Sequence, residues 1–244
     1  MLKSSNPLFK NGALKKETTS EQAMSYGSTI GKLAIMLVLL LATSIFSYQQ
    51  FITGKMTMPV IIGAAVIGFV LVLISMFVPR VAPFTAPIYA AVEGIFLGSI
   101  SAMYASLYDG IILQAVLITI SILFGMLLLY GFRIIQATPA LTKFLMTAVI
   151  GIVVTYLLVF ILNFGFGMNL TFLHDSSPLS IGISIAVIII ASLCFIMDFA
   201  QIEEGVRFGA PKYMEWVGAM GLLITLVWLY LEVLQLLYKL KGDD

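Results

Sequence analysis

The sequence predicts an all-α membrane protein, a bundle of seven transmembrane helices, on three observations. Of 244 residues, 61% are apolar and 10% are charged, against about 25% charged in a soluble globular domain. Seven stretches are long and apolar enough to cross about 30 Å of hydrocarbon at about 1.5 Å per residue. Continuous apolar runs such as 181–190 lack the alternation of a membrane β-strand, which excludes a barrel.

The spans are expected at about 31–51, 58–78, 84–107, 111–131, 144–164, 179–200 and 216–238, within one domain covering 31–240. Thr53-Gly54-Lys55 separates the first pair, and the run Pro79 to Pro83 separates the second from the third. Asp109-Gly110, then Arg133 to Lys143, Gly165 to Pro178 and Gln201 to Glu215 carry the remaining turns. Connections this short make successive helices antiparallel neighbours. Residues 1–30 read as a flexible polar tail, with Lys3, Lys10, Lys15 and Lys16 among Ser, Thr, Asn and Glu and without the apolar core of a signal peptide.

Lys and Arg accumulate on the cytoplasmic side of a membrane protein. With the N-terminus inside, ten of the 13 fall on the inner side, leaving Lys55, Lys239 and Lys241 outside. The expected topology is a multi-pass plasma-membrane protein with a cytoplasmic N-terminus and an external C-terminus. The formal net charge of +1 offers no basic face to nucleic acid. The single cysteine, Cys194, supports neither a disulfide framework nor a thiolate cluster. His174 with Asp175 falls short of the ligand set zinc requires. P-loop, GxSxG and HExxH patterns do not occur, so no enzymatic activity is expected.

Acids inside a bilayer cost about 2.5 to 3.5 kcal/mol each on insertion scales, which makes them functional candidates. Glu93, Asp198 and Glu232 fall within the expected spans. Glu93 lies near mid-membrane beside Gly94 and Gly98, a small-xxx-small spacing that permits close helix approach. Asp198 lies near the inner end of the sixth span, on a face with Ser184, Ala191 and Gln201. Arg80, at the inner end of the second span, comes to a similar depth, so an Arg80–Asp198 ion pair is geometrically available. On the seventh span, steps of three and four residues connect Gly218, Gly221, Thr225, Trp228, Glu232 and Gln235. This small and polar stripe should turn away from lipid and towards other helices.

The tract Gly98-Ser99-Ile100-Ser101-Ala102-Met103-Tyr104, with 111–120 after it, resembles the third and fourth helices of the Bax-inhibitor (transmembrane Bax-inhibitor-motif) family. Asp198 with Ile202 resembles its sixth-helix Asp-x-x-x-Ile element, and Leu229-Tyr230-Leu231-Glu232 its last-helix Leu-Tyr-Leu-Asp element. The likeness runs from about residue 28 to 240, in the manner of a bacterial branch and hence of an inner-membrane protein. It implies a seven-helix bundle with the last helix central, leaking calcium in a pH-dependent way. It further implies that sixth- and seventh-helix carboxylates, here Asp198 and Glu232, share a proton, with Arg80 as a latch. Those carboxylates would be the oxygens offered to Ca2+, a hard cation.

Two departures stand out. The last-helix acid is Glu rather than Asp, and it follows Asp198 by 34 residues. With the spans as placed, Glu232 lies about 24 Å beyond the start of its helix, whereas Asp198 is near the inner face. Either Gln201 to Glu215 is an insertion and the seventh span starts later, or Glu93 takes over one of the two roles. A second function stays open: a membrane regulator that restrains a membrane-anchored protease or another membrane partner through its N-terminal tail. A proton-coupled transporter would call for inverted repeats, and no internal repeat is evident.

Overall fold

The computed structural model describes residues 23–168, 170, 172–173 and 175–242. The stretch 1–22 of the expected tail and His174 lie outside the described residues. Seven helices run through the described chain: α1 (Tyr26–Ile52), α2 (Met58–Phe77), α3 (Ala82–Ala105), α4 (Ile111–Gly131), α5 (Pro139–Phe166), α6 (Pro178–Arg207) and α7 (Met214–Lys241). A 3₁₀ turn, Pro79–Val81, joins α2 to α3. All seven are long and apolar enough to cross a membrane.

Local chemistry sets the boundaries. Ser25, Thr138 and Ser177 take extended backbone at N-caps, and their hydroxyls accept from the amides of Ser28, Leu141 and Ser180. Pro139 and Pro178 follow the last two caps, where a missing N–H costs nothing. Gly167, at φ 66°, closes α5 in the left-handed conformation that glycine accepts without strain. Before α6, Asp175 Oδ1 accepts from the Ser177 hydroxyl at 2.7 Å. That hydrogen bond holds the Asp175 carboxyl below the usual carboxylate range.

Two helix ends differ from the sequence expectation. α1 starts at Tyr26, so 26–30 of the polar stretch is already helical, capped by Ser25. α6 continues through Gln201 to Arg207 and α7 starts at Met214, so Gln201 to Glu215 is mostly helix rather than a long loop or an insertion. The charges there had suggested solvent; Glu203, Glu204 and Arg207 lie on the last turns of α6, and Glu215 is buried in the first turn of α7.

The last helix is the axis of the bundle. α7 packs against α1, α3, α4 and α6. In its most apolar window 61% of residues are buried, against 11% to 44% in the other six helices. Helix α5 is the most peripheral, with Ile150, Val153, Leu157 and Phe160 all exposed as a lipid-facing surface.

Helices α1 and α3 make the closest crossing. A side chain at Gly94 would overlap Thr43 and the Leu40 carbonyl, and one at Gly98 would overlap the Ser44 backbone. The contact is sealed by Ser47, which donates to the Ile95 carbonyl at 2.7 Å and lies 2.6 Å from the Ser99 hydroxyl. The small-xxx-small spacing beside Glu93 is therefore a packing device between α1 and α3.

Met24 and Gly242 sit at opposite ends of the bundle. Met24 N donates to the Ala210 carbonyl at 2.8 Å, tying the start of α1 to the α6–α7 turn. Gly242 lies instead against Ser176 and Tyr108, at the end formed by the α3–α4 and α5–α6 connections.

Candidate functional site along the central helix

The polar stripe of α7 faces protein, and each member meets a different neighbour. Gly218 lies against Ile202 of α6, and a Cβ at Gly221 would stand 3.7 Å from Asp198 Oδ1. Thr225 Oγ1 donates to Asp198 Oδ2 at 2.7 Å. Two turns on, Glu232 Oε1 accepts from Trp228 Nε1 at 3.2 Å and from the Tyr156 hydroxyl of α5 at 3.0 Å. Gln235 Nε2 donates to the Leu173 carbonyl at 3.2 Å.

Asp198 and Glu232 do not share a proton in this arrangement. Asp198 is level with Thr225, and the seven residues from there to Glu232 span about 10.5 Å of helix axis. For the same reason a single Ca2+ cannot be held jointly by Asp198 and Glu232, and no cluster of three or more His, Cys, Asp or Glu suited to a metal occurs among the described residues. Glu93 stands apart from both acids. Its Oε2 lies over Gly68 of α2, at 2.9 Å from where a Cβ would stand, in an interface different from that of Asp198.

The expected Arg80–Asp198 latch is not formed either. Arg80 is exposed in the turn between α2 and α3, and the ion pairs among the described residues are Lys32–Glu215 and Arg133–Glu203. Asp198 turns towards α7, where Thr225 supplies its hydrogen bond, and a flexible arginine at the bundle's rim is better hydrated than buried.

Among the described residues the two mid-bundle acids of α6 and α7 thus have only neutral donors: a threonine for one, a tyrosine and an indole for the other. Glu232 is 5% exposed, and its second oxygen, Oε2, is buried without a partner among the described residues. A carboxylate so placed is satisfied on one oxygen only, which leaves its charge state sensitive to any movement that admits water.

Cations close both ends of this track. At the α6–α7 turn, Glu215 is fully buried and accepts from Ser25 N at 2.9 Å, from Ser28 Oγ at 2.8 Å and from Lys32 Nζ, which also lies 5.5 Å from the Trp216 ring. At the other end Lys239, 1% exposed, donates to the Leu173 carbonyl at 2.6 Å and to Ser184 Oγ at 2.7 Å.

Sequence reasoning used Lys32 and Lys239 only in the topology count, placed Glu215 at the end of a turn, and missed the burial of all three. The signals were present. Ser25, Ser28 and Lys32 share one helical face, and Lys239 continues the α7 stripe four residues beyond Gln235.

A comparison with curated proteins finds no match. A family model described as Bax inhibitor 1 like matches residues 6–242, and the chain belongs to that family.

Proposed function

We propose that this multi-pass membrane protein is a pH-sensitive calcium leak channel, gated by protonation of intramembrane carboxylates and residing in a bacterial inner membrane with its N-terminus cytoplasmic. The observation that supports the reading is the placement of Asp198 against the central helix and of Glu232 on it, each with neutral donors among the described residues. An ionised carboxylate in that setting costs about 2.5 to 3.5 kcal/mol unless water or a cation reaches it. Gain or loss of the proton therefore selects between a packed and a hydrated arrangement of α6 and α7. A hydrated carboxylate is also a favourable oxygen ligand for passing Ca2+. Because the acids lie apart, the ion would meet them in succession rather than in one cage.

Calcium flux into proteoliposomes, measured from mildly acidic to mildly alkaline pH, tests the reading. Asp198→Asn is expected to remove most of the pH dependence and Glu232→Gln to change the leak rate, with Glu93→Gln ranking the third acid. An unchanged pH response in both Asp198→Asn and Glu232→Gln sinks the gating assignment. Absence of wild-type calcium flux at every pH sinks the channel. The alternative is then a regulator that restrains a membrane-anchored protease or another membrane protein, in which deleting the N-terminal tail of about thirty residues would abolish the regulation.

A further inference from the structure

Lys239 is out of place for a residue at the end of a membrane helix. Lysines there ordinarily extend their ammonium into the headgroups, but this side chain is folded back into protein and is 1% exposed. Its Nζ donates to the Leu173 carbonyl at 2.6 Å, to Ser184 Oγ at 2.7 Å and to the Ser180 carbonyl at 3.4 Å. These three acceptors match the three protons of an ammonium. All three are neutral, and the ion pairs among the described residues do not include it. Among the described residues no carboxylate contacts the ammonium, and Glu232 and Asp175 are the acids near enough to act on it.

Its position relative to the acids gives that charge a role. Lys239 lies seven residues, two turns, beyond Glu232 on the same face of α7, or about 10.5 Å along the axis. Between them Gln235 donates to the same Leu173 carbonyl that Lys239 uses, so the α5–α6 connection is drawn across this end of the stripe. An ion moving along the stripe from the Gly242 end passes the ammonium before it meets Glu232.

We propose that Lys239 is the selectivity-determining charge of the leak, a tethered cation that sets the barrier to entry of mobile cations at the outer mouth. The inference rests on the leak reading above. Its physical signature is the dependence on ion charge. A fixed charge acts on an ion in proportion to that ion's valence, so removing it lowers the barrier twice as much for Ca2+ as for K+ and raises it for Cl−. In rates, the factor for Ca2+ is the square of the factor for K+.

The experiment compares wild type, Lys239→Gln and Ser184→Asp in proteoliposomes, with fluxes of Ca2+, K+ and Cl− measured separately. Ser184→Asp places a carboxylate where Lys239 already reaches, neutralising the charge without removing the lysine. That second variant keeps the test open should Lys239→Gln fail to fold. The expected result in either variant is a rise on the order of tenfold for Ca2+, about threefold for K+, and a fall of about threefold for Cl−. A rise of similar size for all three ions would mean loosened packing and overturn the proposal, as would unchanged fluxes in a conducting protein. Silence of wild type and both variants towards all three ions would overturn the leak reading and the proposal together.

Discussion

The separation of Asp198 from Glu232 can be tested by coupling energies. Thr225→Val removes the hydroxyl that donates to Asp198 Oδ2 at 2.7 Å while nearly keeping the side-chain shape. A hydrogen bond to a charged group is worth about 1.5 to 3 kcal/mol, and one to a neutral acceptor about 1 kcal/mol. Thr225→Val and Asp198→Asn act on one contact, so their double-mutant cycle should show a coupling of about 0.5 to 3 kcal/mol. Asp198→Asn and Glu232→Gln act about 10.5 Å apart along the axis, and should add to within about 0.5 kcal/mol. Reversible unfolding in lipid or mild detergent, followed by denaturant titration of the four proteins of each cycle, gives both numbers. A coupling above about 1 kcal/mol between Asp198 and Glu232, with additivity between Asp198 and Thr225, would refute the structural assignment and restore a shared proton.

Gly98→Ala should destabilise the protein by about 1 to 3 kcal/mol, the range for overpacking, because the added methyl meets the Ser44 backbone; a thermal melt unchanged from wild type would show that α1 and α3 are not in this contact. Lys32→Met leaves Glu215 buried with an unpaired charge and should cost about 3 to 5 kcal/mol. The double variant Lys32→Met, Glu215→Leu should recover most of that loss, read by the same melts, and equal instability of single and double variants would argue against a buried pair.

Fold class was legible because a bilayer demands continuous apolar length, and the seven spans satisfy that demand by composition alone. The α7 stripe was legible for a related reason: lipid disfavours Gly218, Thr225, Glu232 and Gln235 on one face, so the face had to be internal. Partners were not legible. Tyr156 bonds Glu232 across α5 and α7, and nothing in the apolar run around Tyr156 singles it out from other aromatics. Lys32 and Lys239 entered only the count of cations on each side, and Glu215 only the end of a turn. Burial of these three depends on tertiary closure, through the Ser25–Ser28 cap at one end and the Leu173 carbonyl at the other.

The spacing of 34 residues between the two acids has a geometric origin. Asp198 lies nine residues before the end of α6 at Arg207, and α7 starts at Met214 after a short turn. The antiparallel return brings Thr225, 27 residues after Asp198, to the level of its carboxyl. Glu232 is therefore two turns too far along to complete a pair, and its longer side chain is used to reach Tyr156 of α5 instead. The Leu229-Tyr230-Leu231-Glu232 likeness locates an acid of the right chemistry at a different height in the bundle. Two carboxyls so placed titrate as separate groups unless α7 moves. Any mutual influence between them is then carried by the helix that holds Thr225 against one and Glu232 itself, so displacement of α7, rather than exchange of a proton, is the event that couples them.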